Sequence, residues 1–123
     1  MFTHVLLTGV LYAFLTFARA PSVWGIGKRK DGSNPWGNLE PKISANLTNQ
    51  FEWPLFFYAV CLILISDGNE INASYIWLAW LFIGGRIIHS LVHIFTNNVR
   101  LRGLVFTINF LAVFLMWVNY LTR

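Results

Sequence analysis

The chain has 123 residues, of which 56% are hydrophobic and only 11% charged, with a formal net charge of +4; a soluble domain typically carries roughly 25% charged residues. This composition excludes a water-soluble globule, and the long apolar stretches take up so much of the chain that no separate soluble domain fits beside them. The basic surplus is no argument for nucleic acid: its densest cluster, Lys28-Arg29-Lys30, adjoins a span and has no basic helix with it, so attraction to anionic headgroups, about 1 kcal/mol per basic residue, accounts for it.

A transmembrane helix needs about 20 mostly apolar residues, and four stretches qualify: Phe2 to Ala18, Ile43 to Ser66, Ala73 to Phe95 and Val99 to Thr122. The expectation is one all-α membrane domain over residues 1–123, a four-helix bundle. The first stretch lacks a basic leader and an A-x-A-like cleavage site, so it is read as a helix and not as a signal peptide. Between it and the second lies a loop of residues 19–42, rich in Gly, Pro, Asn and Ser, with Trp24 and Trp36 as interfacial anchors. Arg19, Lys28, Arg29, Lys30 and Lys42 fall in this connection, Arg100 and Arg102 near the third, and only Asp67 and Glu70 in the second. The positive-inside rule then places the first and third connections in the cytoplasm.

The second stretch opens with Asn46, Thr48, Asn49, Gln50 and Glu52 before turning apolar from Leu55. Such a polar half is tolerated where it lines a cavity between helices or projects toward the cytosol. Asn49 and Glu52 share a helix face, and Pro54 removes a helical donor from the Gln50 carbonyl and predicts a kink. Cys61, the single cysteine, lies further along this stretch and reads as a small buried apolar residue.

The third stretch carries Gly84-Gly85, a surface for close helix approach, immediately before Arg86. On a continuous helix, Arg86, His89, His93 and Arg100 fall within about 60° of one another over roughly 20 Å. Charged groups facing hydrocarbon cost roughly 2.5 to 3.5 kcal/mol, so this stripe turns inward and marks a site. Glu52 has a structural reading as the partner that neutralises Arg86. The i, i+4 histidines with Glu52 opposite have the spacing of a metal site, but Arg86 and Arg100 beside them disfavour a cation, and no metal is expected.

The pattern Asn49-x-x-Glu52-x-Pro54, followed by Gly84-Gly85-Arg86-x-x-His89-x-x-x-His93 and Arg100, resembles the MAPEG family, the membrane-associated proteins of eicosanoid and glutathione metabolism. The similarity spans almost the whole chain and is to a bacterial-type member, which implies an inner-membrane location with the site toward the cytoplasm. It further implies a homotrimer of four-helix protomers with glutathione as co-substrate between subunits, and a lipophilic small molecule as the other substrate. Arg100 matches the arginine that stabilises the glutathione thiolate. Asn49, Glu52, Arg86, His89 and His93 match positions that bind the tripeptide, and Arg19 stands where an arginine ending the first helix can face the site. The chain departs from glutathione-using relatives at Ala45, where an arginine stands, at Trp53, where some have tyrosine, and at His89 and His93, which are tyrosines in one branch. The implied function is a glutathione-dependent transferase or peroxidase acting on lipophilic electrophiles. The alternative is a non-catalytic lipid-binding or scaffold protein on the same fold.

Overall fold

The computed structural model describes all residues, 1–123, as five helices and no strands: α1 (Phe2–Trp24), α2 (Glu40–Asn49), α3 (Pro54–Ser66), α4 (Ala73–Phe95) and α5 (Val99–Thr122). α2 and α3 together make one span of 27 residues, so four segments are long and apolar enough to cross a membrane.

α1 runs past the apolar stretch to Trp24, where Gly25 at φ 72° ends it in the left-handed conformation that glycine adopts without strain. Pro21 lies inside this helix and brings no N–H to its last turns. The loop folds back at this point, because the Asn34 amide donates to the Ala18 carbonyl and the Ser22 hydroxyl, each at 2.9 Å.

The second span is broken, not merely kinked. α2 starts at Glu40, with an acidic residue and Pro41 in its first turn, an arrangement that suits a helix N-terminus. It tightens at its end, where Gln50 N–H donates to the Leu47 carbonyl and Phe51 N–H to the Thr48 carbonyl, both at 3.0 Å. Pro54 then opens α3 from the first-turn position that proline tolerates. The intervening residues 50–53 leave the ordinary helical ladder, which sets free the carbonyl of Asn49.

α4 is the most enclosed span. It lies closest to α5, where Gly85 backs onto Asn109: a Cβ on Gly85 would collide with the Asn109 Oδ1 and lie 2.9 Å from its Cγ. Gly84 faces open space, so of the two glycines Gly85 makes the close approach.

Two apolar clusters hold the bundle. At the loop end Leu11, Leu15, Ala18, Ile43, Leu47 and Ile94 pack together. Toward the other end Phe57, Val60, Phe82, Ile83, Val113 and Met116 do so, with Phe57 and Phe82 stacked at 4.3 Å between ring centroids. Between them, along α2, the residue that follows it and α4, lies a buried polar layer of Asn46, Gln50, Arg86, His89 and Ser90. The outer surface carries large apolar side chains such as Phe14, Phe17, Trp77, Trp80 and Leu121 in the open, the mark of a surface that meets lipid. At the end away from the loop, Arg123 pairs with Asp67 and lies over the Tyr120 ring.

Candidate functional site

Gln50 is the hub of the polar layer. Its Oε1 accepts from Arg86 Nε at 3.2 Å and from His4 Nε2 at 2.9 Å. Its amide nitrogen donates to the Asn46 carbonyl at 3.2 Å, to Asn46 Oδ1 at 3.1 Å and, at 3.4 Å, toward Ser90 Oγ. Because Oε1 can only accept, His4 carries its proton on Nε2, and Nδ1 then accepts from the Tyr58 hydroxyl at 2.8 Å. At the other side the Asn46 amide donates to His93 Nδ1 at 3.4 Å. A hydrogen-bonded chain therefore crosses the protomer from His93 through Asn46, Gln50 and His4 to Tyr58.

Arg86 is fully buried. Its second bond, from Nη2 to the Asn49 carbonyl at 3.1 Å, uses the acceptor released by the broken helix. The sequence marked the Gln50 carbonyl as the acceptor that Pro54 frees; Arg86 bonds to the carbonyl before it, along with the Gln50 side chain. Glu52 is exposed and lies outside ion-pair distance of Arg86, since the two salt bridges present are Arg19–Glu40 and Arg123–Asp67. The buried guanidinium thus has neutral acceptors only. Its Nη1, His89 Nδ1, Trp53 Nε1 and both polar atoms of the Asn109 side chain are buried with no partner in the protomer.

On the outer side of this layer is an open recess of about 490 Å³, lined among others by Ala45, Asn49, His89, His93, Arg102 and Phe106. His89 and His93 meet edge to face, with ring centroids 5.7 Å apart. The recess thus gathers Asn49, His89 and His93 of the sequence candidates, with Arg86 behind them. Arg100 stands apart from it. The stripe assumed one continuous helix, whereas α4 ends at Phe95 and Asn98 caps a new helix by accepting from Leu101 N–H at 3.0 Å. Arg100 is exposed at that helix start, and Arg102, counted in the sequence among the basic residues that set the topology, lines the recess instead. Arg19 is held at the loop-end surface, donating from Nε to Glu40 at 2.7 Å and toward Ser44 Oγ at 3.4 Å. Ala45 sits on the recess wall, where an arginine would add a further cation.

Sequence reasoning missed His4, Gln50, Tyr58, Ser90 and Asn109. A histidine within the apolar first span and a glutamine beside Asn49 were signals of the same kind as Arg86, and each has a cost in hydrocarbon that demands a partner.

No group of three or more His, Cys, Asp or Glu side chains is placed to hold a metal ion. Four membrane-spanning segments with a donor-rich recess beside a buried arginine define an integral, multi-pass membrane protein with a polar site set between its helices. The model of the MAPEG family matches residues 1–122, essentially the whole chain. The protein belongs to that family. No curated protein and no solved structure gives a match.

Proposed function

We propose that the protein is a thiol-dependent transferase or peroxidase, using glutathione or a related thiol against lipophilic electrophiles that arrive from the bilayer. The observation that carries this reading is the excess of donors at one level of the bundle. Arg86 without a carboxylate, the two histidines, Asn49 and Arg102 together suit a guest rich in acceptors and negative charge. Glutathione, with two carboxylates and peptide carbonyls, has that chemistry, and family membership points the same way, since members include glutathione transferases and peroxidases. A free thiol near pKa 8.5 is mostly protonated at neutral pH, and a guanidinium within a few ångströms favours the thiolate by one unit or more. Arg102 offers this charge from within the protomer. In the homotrimer that we propose, Arg100 is free to complete the recess of a neighbouring subunit, with Glu52 available there to hold the glutathione amine. By the distribution of basic residues the recess lies toward the cytoplasm, in a bacterial-type inner membrane.

Calorimetry of the detergent-solubilised protein with glutathione tests the reading, together with conjugation of a lipophilic halonitroarene. The wild type is expected to bind and turn over, and Arg102→Ala and Arg100→Ala each to lose at least tenfold in turnover while keeping the oligomer. A wild type that binds no thiol and conjugates nothing rejects the enzyme. It would favour a non-catalytic lipid-binding scaffold, the reading that Ala45 on the recess wall supports.

A further inference from the structure

The segment between α1 and α2 carries three cations that the bundle does not use. Gly25 and Gly27, at φ 72° and 79°, turn the chain out of α1, and a reverse turn follows. In it Gly32 N–H donates to the Arg29 carbonyl at 2.9 Å and Arg29 N–H to the Ser33 carbonyl at 3.1 Å, with Gly32 at φ 82°. Lys28, Arg29 and Lys30 are exposed, and none of their side chains makes a hydrogen bond or ion pair. The one carboxylate in the turn, Asp31, is occupied with Ser33, whose N–H and hydroxyl donate to its Oδ1 at 2.9 and 2.7 Å. Those bonds hold the Asp31 carboxyl below the usual carboxylate range, so it stays ionised without neutralising its neighbours by contact. The other cations of this end differ: Arg19 is paired with Glu40, and Lys42 donates to Asn97 Oδ1 at 2.6 Å.

Apolar side chains flank the same turn in the open. Trp24 is 62% exposed and Ile26 69%, and Trp36 packs against Phe17 at the end of the first span, with ring centroids 6.0 Å apart. Tryptophan prefers the headgroup level of a bilayer, which sets the depth of the turn. Exposed rings at that depth beside three free cations match a surface that is apolar below and anionic above.

We propose that the turn formed by Lys28, Arg29 and Lys30 is a docking site for anionic phospholipid headgroups, seated by Trp24 and Ile26. It stands independently of the thiol reading, because no residue of the recess takes part. Each basic residue near an anionic surface favours it about fivefold. With Asp31 offsetting one of the three, the preference for an anionic over a zwitterionic lipid is about twenty-five-fold.

The test is lipid retention by the purified full-length protein, measured by native mass spectrometry from an equimolar mixture of dioctanoyl phosphatidylglycerol and dioctanoyl phosphatidylcholine. The wild type is expected to retain the anionic lipid about twenty-five-fold more. The triple variant K28Q/R29Q/K30Q loses that preference, and K28R/K30R keeps it. The single glutamine variants each lose part of it, which keeps the measurement readable if the triple variant folds poorly. Raising the salt to 1 M shortens the screening length to about 3 Å and removes the preference. If glycerol 3-phosphate alone displaces the anionic lipid at equal concentration, the turn is a small-anion site and the proposal fails. Unchanged preference in the glutamine variants overturns it equally.

Discussion

Replacing Gln50 with leucine tests whether one amide organises the polar layer. The substitution keeps the volume of the side chain roughly constant and removes all of its hydrogen bonds, to His4, Asn46, Ser90 and Arg86. Interhelical bonds in membranes average about 0.6 kcal/mol, so the two that join Gln50 to His4 of α1 and Ser90 of α4 amount to about 1 kcal/mol. The larger effect comes from Arg86, which keeps one bond to the Asn49 carbonyl while its Nε–H is left buried and unpaired; a stranded donor of this kind costs about 1 to 3 kcal/mol. The expected loss is therefore about 2 to 4 kcal/mol, read from unfolding of the protein in mixed micelles with increasing SDS fraction. Gln50→Glu is the companion variant: a carboxylate in the same place accepts from Arg86 and His4 and is expected to recover at least half of the loss. If Gln50→Leu falls below about 1 kcal/mol, the layer is incidental to stability and the hub argument is wrong.

Two further substitutions bear on the packing around Arg86. Gly85→Ala drives a methyl group into the Asn109 amide and is expected to destabilise by about 1 to 3 kcal/mol, the range for overpacked cores. Adding Asn109→Ala relieves the collision, so a double variant no more stable than Gly85→Ala would refute close contact between α4 and α5 at this point. Glu52→Gln is expected to change the stability of the protomer by less than about 0.5 kcal/mol, as for other surface changes, because the carboxylate pairs with nothing in it. Arg86→Met alongside it measures the buried guanidinium, and a coupling above about 1 kcal/mol between the two would restore the ion pair that the geometry lacks.

What was legible in the sequence followed from hydrocarbon as a solvent. Four apolar stretches, the burial of Arg86 and the burial of His89 all follow from the high cost of leaving a helix backbone or a charge unpaired in lipid. The partners were harder to read, since Arg86 attracts any acceptor within reach, and the spacing favoured the charged Glu52 while passing over the neutral Gln50 two residues before it. The break at residues 50–53 decided between them, turning Gln50 inward and Glu52 outward. Pro54 announced a disturbance there but not its extent. Arg100 was misplaced on the stripe for a related reason: periodicity extrapolates through a short polar connection, and the Asn98 cap resets the angular register so that Arg102 meets the recess.

The interrupted second span bears on how the polypeptide enters its membrane. An arginine at the centre of an isolated helix opposes insertion by roughly 2.5 to 3.5 kcal/mol, and the ten-residue polar half that begins the preceding segment is also a poor solo entrant. Each supplies what the other lacks, because the acceptors of Arg86 are the Asn49 carbonyl and the Gln50 side chain. Leaving the translocation channel as a joined hairpin, across a short connection of residues 67–72, lets the two segments shed water together. Biogenesis and final architecture are in this way tied to the same pair of hydrogen bonds.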